Sequence, residues 1–364
     1  MNLLFEVNHP GQVHLLRNAY HELTEKGHQI VVIAKEEKII TYLLDHYKIP
    51  YQTLGKKGAG KWGKLFAQFK FDWKAYRIIK KHKITLGVGS SITNDHLSRV
   101  SKSFKAIHLS DDDESVVPLL VKFSYPYTDV ILSPSCLTFQ TFKDKNIQYA
   151  GYHELAYLHP KRFQPNPEVI QKIGIEPGEK YFMMRFVALK GHHDDGHQGI
   201  SFEQKLQLIE LLKPHGKIFI TSEKPIEKEL EIYRLPVAPE DIHSFLYYST
   251  LFLGDSQTMT TEAAILGVPA LKCNTFAGKL SIPNEIENKY DLCYSFQPID
   301  FEEFYKKTST LLHTPNVKEI WKNKIDQMLT EKIDVSSFLV WFIENYPKSH
   351  EIMKQNPDFQ NRFK

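Results

Sequence analysis

Leu3-Leu4-Phe5-Glu6-Val7, a helical pattern from Leu15 to Lys26 closed by Gly27, then Ile30-Val31-Val32-Ile33-Ala34: this opening stretch decides the fold. The two short apolar runs read as strands, and the amphipathic pattern between them reads as a helix stopped by a glycine. A helix of that length is the crossover that joins parallel strands. The rhythm continues through a helix at Ile39–Tyr47, a basic helix, and the runs Leu86-Gly87-Val88-Gly89, Ala106-Ile107-His108-Leu109 and Val130-Ile131-Leu132. Strands alternating with helices predict an α/β fold with a doubly wound, Rossmann-like parallel sheet.

The rhythm breaks at Tyr152–Pro167, where Pro160, Pro165 and Pro167 cluster in a polar stretch. It restarts with Tyr181-Phe182-Met183-Met184, Lys217-Ile218-Phe219-Ile220, Leu251-Phe252-Leu253 and Pro269-Ala270-Leu271, separated by helical patterns at Phe202–Leu212, Ile242–Tyr248 and Met259–Leu266. The last third reads as helix, including Phe301–Leu312, Lys318–Thr330 and Val335–Asn345. The expected organisation is a Rossmann-like domain over 1–155, a linker over 156–167, a second Rossmann-like domain over 168–330 and a helical segment over 331–364.

At 364 residues two domains are the natural expectation. No window reaches the roughly 18 unbroken apolar residues of a membrane helix, and the first residues carry no signal-peptide pattern, so a cytoplasmic protein is expected. Cys136, Cys273 and Cys293 lie far apart with no metal-site spacing, which predicts buried thiols rather than disulfides or zinc ligands.

The whole-chain charge of +3 hides a segregation: residues 56–83 hold ten Lys or Arg against Asp72 alone, a net +9 that leaves the remainder at −6. Trp62, Phe66, Phe69, Phe71, Trp73 and Tyr76 are interleaved with these cations. One reading is a helix with its aromatics in the core and its lysines in water. The other is a surface for an anionic bilayer or a phosphorylated acceptor, since aromatic rings sit well at headgroup level and each nearby Lys adds about 1 kcal/mol there. No nucleic-acid motif accompanies the patch, and nucleic acid is not expected as a partner.

Parallel sheets bind ligands beyond the carboxyl ends of their strands, so the loops there hold the candidate chemistry. The first is Asn8-His9-Pro10-Gly11-Gln12-Val13-His14, which lacks the glycine fingerprint of a dinucleotide site. His9 and His14 are candidate bases for an attacking hydroxyl, or else turn and first-turn residues. After Leu109 comes Ser110-Asp111-Asp112-Asp113-Glu114. These acids read mainly as a capped, solvated helix start, with Asp112 and Glu114 as candidate acceptor or sugar contacts. The loop from Arg185 to Gly199 is rich in His, Asp and Gly. Its histidines stand too close in sequence to chelate one ion well, so no metal is expected; the loop reads as a polar lid with His193 and His197 as sugar contacts. Arg185, at a strand's carboxyl end, is the best phosphate-binding candidate.

The most informative segment runs Leu253-Gly254-Asp255-Ser256-Gln257-Thr258-Met259-Thr260-Thr261-Glu262-Ala263-Ala264-Ile265-Leu266-Gly267-Val268-Pro269-Ala270-Leu271. A strand ends at Gly254 and a helix begins after small polar residues, so amides and hydroxyls at Ser256, Gln257 and Thr258 face any anion at the helix start, with Glu262 one turn on. The plainer alternative is a helix capped by Ser256.

This segment resembles the nucleotide-sugar-binding motif of GT-B proteins, notably the UDP-N-acetylglucosamine 2-epimerases and the MurG-like glycosyltransferases. The resemblance implies a GT-B architecture of two Rossmann-like domains facing a cleft, diphosphate contacts at Ser256, Gln257 and Thr258, and a ribose contact at Glu262. It also implies that the C-terminal helix around Trp341 packs back on the first domain. Over nearly its whole length the chain resembles the domain-of-unknown-function 354 family, through Asn8-x-Pro-x-x-Val13-His14, Arg185-Phe186-Val187 with its following loop, Gly254–Leu271, and Ile333-Asp334-Val335 before Trp341-Phe342-Ile343-Glu344-Asn345.

The expected function is therefore a metal-independent glycosyltransferase that takes a nucleotide-diphosphate sugar, UDP-linked, and passes it to a lipid-linked or glycan acceptor in cell-surface polysaccharide or glycolipid biosynthesis. Its donor is a substrate and no cofactor is expected. His14 or His9 would be the base, and residues 56–83 a peripheral contact with the inner face of an anionic membrane. The alternatives are a UDP-N-acetylglucosamine 2-epimerase-like enzyme, with Asp112 or Glu114 moving the proton, and a non-catalytic binding protein on the same fold.

Overall fold

The computed structural model describes residues 1–56, 58, 60–176, 178–187, 198–223 and 225–364. Two compact units emerge: Met1–Arg162 together with Lys332–Lys364, and Phe163–Glu331.

The first unit begins as β1 (Asn2–Val7), α1 (Pro10–Glu25), β2 (Gln29–Lys35), α2 (Lys38–His46), β3 (Tyr51–Gly55) and α3 (Gly60–His82). It continues as β4 (Leu86–Gly89), α4 (Ile92–Val100), β5 (Lys105–Leu109), α5 (Pro118–Phe123), β6 (Val130–Pro134), β7 (Asn146–Tyr149) and α6 (Leu155–Leu158). The seven strands form one sheet in the order β3-β2-β1-β4-β5-β6-β7, parallel throughout. Leu3, Leu4, Phe5 and Val7 are all buried, the pattern of a strand covered on both faces.

The second unit holds α7 (Glu168–Gln171), β8 (Tyr181–Phe186), α8 (Phe202–Leu212), β9 (Lys217–Ser222), α9 (Ile242–Tyr248), β10 (Leu251–Gly254) and α10 (Gln257–Ile265). After these come β11 (Ala270–Cys273), α11 (Ser281–Asn288), β12 (Cys293–Phe296), α12 (Phe301–Leu312) and α13 (Val317–Glu331). Its five parallel strands run β12-β11-β10-β8-β9. In each sheet the winding reverses beside the first strand, between β1 and β4 and between β8 and β10, which is where such folds place ligands.

The chain then returns to the first unit with α14 (Val335–Glu344) and α15 (Lys348–Gln355). The segment is fastened by Ile333 N–H to Ala150 O (2.9 Å), Ala150 N–H to Gln360 Oε1 (2.6 Å) and Ser336 Oγ–H to Ala156 O (2.7 Å). Arg162 donates to Asp334 Oδ2 and Ser337 Oγ, both at 2.7 Å, and also to Glu22. Trp341 packs on Phe359 and Phe363, with ring centroids 4.6 and 5.5 Å apart.

Two expectations are corrected here. The stretch read as a linker from residue 156 opens inside the first unit, because Leu155, Ala156, Tyr157 and Leu158 form a buried turn against α1 and α14. The prolines that suggested a linker come only after that turn. Cys273 and Cys293 are buried free thiols, but Cys136 is only partly buried.

The basic helix α3 combines both sequence readings on opposite faces. Phe71, Ala75 and Ile79, spaced by four, are buried with Leu4, Ile33 and Leu54. Trp62, Phe66, Phe69 and Trp73, spaced four, three and four, form a second stripe that is 75, 71, 65 and 59 % exposed. Among the described residues no helix is long and apolar enough to cross a membrane.

Candidate functional site

In the second unit the site is built from the ends of β8, β10 and β11. A Cβ on Gly254 would stand 2.1 Å from the Arg185 carbonyl oxygen, so only glycine lets β10 run this close to β8. Asp255 then folds back: its Oδ1 accepts from Val187 N–H at 2.7 Å, tying the two strand ends together. Burial pushes this carboxyl up to about 6, against the hydrogen bond that favours its charge.

Ser256 is the N-cap of α10, its Oγ accepting from Met259 N–H at 3.4 Å. Thr258 is exposed and Gln257 half-buried on the first turn, where amides lack intrahelical acceptors and the helix dipole is positive. Gln257 Oε1 accepts from the ammonium of Lys272, and Gln257 Nε2 donates to Asn274 Oδ1 at 3.4 Å. Asn274 Nδ2 in turn donates to Asp255 O at 2.8 Å, closing a ring around the start of α10. Lys272 is fully buried, and burial lowers its pKa to about 8, which still leaves it charged at neutral pH. The sequence reading missed Lys272 and Asn274; the signal was a lysine inside the apolar strand Ala270-Leu271-Lys272-Cys273.

Two side chains expected at a ligand are engaged elsewhere. Register pairs Arg185 with Thr221, and its guanidinium lies over β9, donating to Thr221 Oγ1 (3.2 Å) and Glu223 Oε1 (3.3 Å). Glu262 is 5 % exposed, with Oε1 3.0 Å from Nε2 of the equally buried His243, whose ring meets Phe163 edge-on. The helix thus turns Glu262 toward α9. His193 and His197 lie outside the described residues.

In the first unit the end of β1 is organised by Glu6, which the sequence reading passed over as part of a strand. It is fully buried and accepts from Ser91 Oγ (2.5 Å), Asn8 Nδ2 (3.0 Å) and Asn94 N–H (3.3 Å). Burial raises its pKa, while these donors work the other way. His9 is the N-cap of α1: its Nδ1 accepts from Gly11 N–H at 3.2 Å, a role that places any proton of the neutral ring on Nε2. His14 is buried between Tyr47 and Tyr157, with Tyr47 Oη and Arg17 Nη1 each 3.4 Å from its Nδ1. Both histidines thereby have local structural partners at Nδ1.

The segments after β5 and β7 supply a different pair. Asp111 Oδ2 is 3.2 Å from Nδ1 of His153. His153 is 7 % exposed, and its buried Nε2 has no hydrogen-bond partner among the described residues. Burial alone would lower the His153 pKa, but the Asp111 charge and hydrogen bond raise it. Desolvation would likewise raise Asp111, yet His153, with His9 nearby, holds it below its ordinary value. Asp112 is pushed up to about 6 by desolvation and by the adjacent Asp111 carboxylate. Glu114 belongs to the local loop structure, accepting from Gln140 N–H (2.9 Å), Thr141 N–H (3.2 Å) and Thr141 Oγ1 (2.5 Å).

Comparison with known proteins agrees with this architecture. The model of the family described as protein of unknown function (DUF354) matches residues 1–289. An uncharacterised protein of Methanocaldococcus jannaschii is 21% identical over 351 residues, covering 92% of this chain and 94% of its own. The structure of the UDP-GlcNAc 2-epimerase of the same organism, in complex with UDP-GlcNAc and UDP, matches with a TM-score of 0.61 at 13% identity, over 91% of this chain and 99% of the other. SsfS6, a glycosyltransferase of Streptomyces sp. SF2575, matches with a TM-score of 0.57 at 12% identity, over 95% and 100% of the two chains. At these identities the likeness is one of fold: the two parallel-sheet α/β units are those of GT-B proteins.

Proposed function

The chain belongs to the DUF354 family, and from that premise we propose that it is a metal-independent GT-B-type glycosyltransferase using a UDP-linked sugar in the assembly of a cell-surface polysaccharide or glycolipid. The observation that carries the proposal is the start of α10, set at the winding reversal of the second sheet and backed by the buried Lys272 ammonium. Helix amides and a fixed cation behind them suit a diphosphate, and they would stabilise the charge that develops as a nucleoside diphosphate leaves. The fold likeness supports the same reading, since one neighbour is named as holding UDP and another as a glycosyltransferase.

In this reading Ser256, Gln257 and Thr258 hold the diphosphate and Lys272 sets the charge behind them. The acceptor hydroxyl attacks the anomeric carbon, the bond to the diphosphate oxygen breaks, and a base takes the hydroxyl proton. The candidate bases remain His14 and His9, and we add His153, whose Nδ1 stands 3.2 Å from the Asp111 carboxylate in the carboxylate–imidazole arrangement of a general base. The proposed setting is the cytoplasm.

Isothermal titration with UDP is the direct test. Binding is expected at pH 7, weakening as the pH rises through about 8 as Lys272 loses its proton, and the alkaline step should vanish in Lys272→Met. No heat at millimolar UDP overturns the donor site and leaves a non-catalytic reading standing.

For the base, the rate of UDP release from UDP-sugars in the presence of acceptor should rise with pH through the elevated His153 pKa. His153→Gln should remove that limb and lower kcat by about a hundredfold or more. An unchanged pH profile would return the role to another residue.

One observation favours a second reading, an epimerase-like enzyme. A carboxyl at about 6, as on Asp112, can both take and return a proton near neutral pH. Deuterium at carbon 2 of UDP-N-acetylglucosamine recovered from heavy water would select that reading over transfer.

A further inference from the structure

Among the described residues, the second, outward stripe of α3 takes no part in the core of the first unit. Trp62, Phe66, Phe69 and Trp73 are all more than half exposed, while the opposite face of the same helix already fills the core. The apolar surface extends beyond the helix. Phe69, Trp73 and Tyr76 line one side of a groove of about 560 Å³, with Leu97, Val100 and Tyr127 on the other side. Leu119 and Phe123, one turn apart on α5, are exposed as well. Contiguous apolar surface on this scale is uncommon on a protein that meets only water.

The charge around this face is one-sided. Lys64, Lys70, Arg77, Lys80 and Lys81 are exposed on α3, with Arg99 at the end of α4 and Lys122 on α5. Arg77 lies over the Trp73 ring at 4.8 Å, so cation and aromatic form one surface. The single acid of the window, Asp72, lines the groove together with His96 but is paired there: it accepts from Gln68 Nε2 at 2.6 Å and lies 2.8 Å from His96 Nδ1.

We infer that this face of the first unit, α3 with the adjoining ends of α4 and α5, seats on an anionic phospholipid bilayer, with Trp62, Phe66, Phe69 and Trp73 entering the headgroup layer. Bound there, the cations meet lipid phosphates and the groove receives part of one acyl chain. A second copy of the chain is a poorer occupant, because an isologous contact would set the same cations against each other. The inference does not rest on the reaction proposed above, since none of these residues belongs to the proposed donor site or base.

The test uses the whole protein and sedimentation with vesicles of equal parts phosphatidylglycerol and phosphatidylcholine, or of phosphatidylcholine alone. Binding to the anionic vesicles is expected, with a blue-shifted tryptophan emission, and at least tenfold weaker partition to the neutral ones and at high salt. Trp62→Ser/Phe66→Ser/Phe69→Ser/Trp73→Ser and Lys70→Glu/Arg77→Glu/Lys81→Glu should each lower partition at least tenfold, with melting temperature and UDP titration unchanged. Absence of binding to anionic vesicles overturns the inference. So does full binding by the aromatic variant, which would make the contact one of charge alone. A dimer in gel filtration that the aromatic variant dissolves, without vesicle binding, would hand the face to a second copy.

Discussion

Gly254→Ala is expected to cost the second unit about 3 kcal/mol or more, seen as a large fall in its melting temperature and the loss of UDP binding. The added Cβ would stand 2.1 Å from the Arg185 carbonyl oxygen and 3.0 Å from the Arg185 carbonyl carbon. Both atoms are backbone of the neighbouring strand, so no side-chain rotation relieves the contact. Relief requires β10 to move away from β8, which breaks the pairing of Leu253 with Met184 and of Gly254 with Arg185. It also pulls Asp255 from Val187 N–H and shifts the start of α10. A variant that melts within a degree or two of the parent would show that the strands have slack here, and would weaken the placement of the helix start as a rigid anion site.

The second large effect is expected at Glu262. Glu262→Ala removes the carboxylate facing His243 Nε2 in an interior where both residues are almost fully buried, and should destabilise the unit by about 3 kcal/mol. Glu262→Gln keeps shape and an acceptor oxygen, and should melt within about 1 kcal/mol of the parent. The pair of variants separates two roles that alanine alone would confuse. If Glu262 also receives a ribose hydroxyl of the donor, Glu262→Gln should bind UDP at least tenfold more weakly while remaining folded. If Glu262→Gln binds UDP as the parent does, the residue only supports the helix and the ribose contact lies elsewhere.

The central strands were legible because burial on both faces demands mostly apolar runs, as in Leu3–Val7, broken only by Glu6, and Leu251–Leu253. The strands passed over were β3, β7 and β12, all at sheet edges. Tyr51-Gln52-Thr53-Leu54-Gly55 shows why: Gln52 and Thr53 are exposed, and an edge strand has no need of continuous apolar sequence. At the site, the strand-turn-helix at Gly254 was legible from small residues ahead of a helical pattern. Side-chain direction was not. Glu262 turns inward because His243, nineteen residues earlier, waits for it across α9, and Arg185 lies along β9 because of a strand register that its own neighbours do not encode. His153 was hidden by the prolines that follow it, and Lys272 by the apolar residues on either side.

The clasp at Arg162 has a consequence for the order in which the molecule can be made. Glu22 and Asp334 meet on one guanidinium, and α14 covers α1 and α6, so the first sheet lacks part of its covering layer until residues 332–364 have been synthesised. The second unit, whose residues are contiguous, is synthesised in full before that segment and emerges from the ribosome ahead of it. Translation therefore favours the later half as the first to reach its final form, while the earlier half waits, partly bare, for the tail that finishes it.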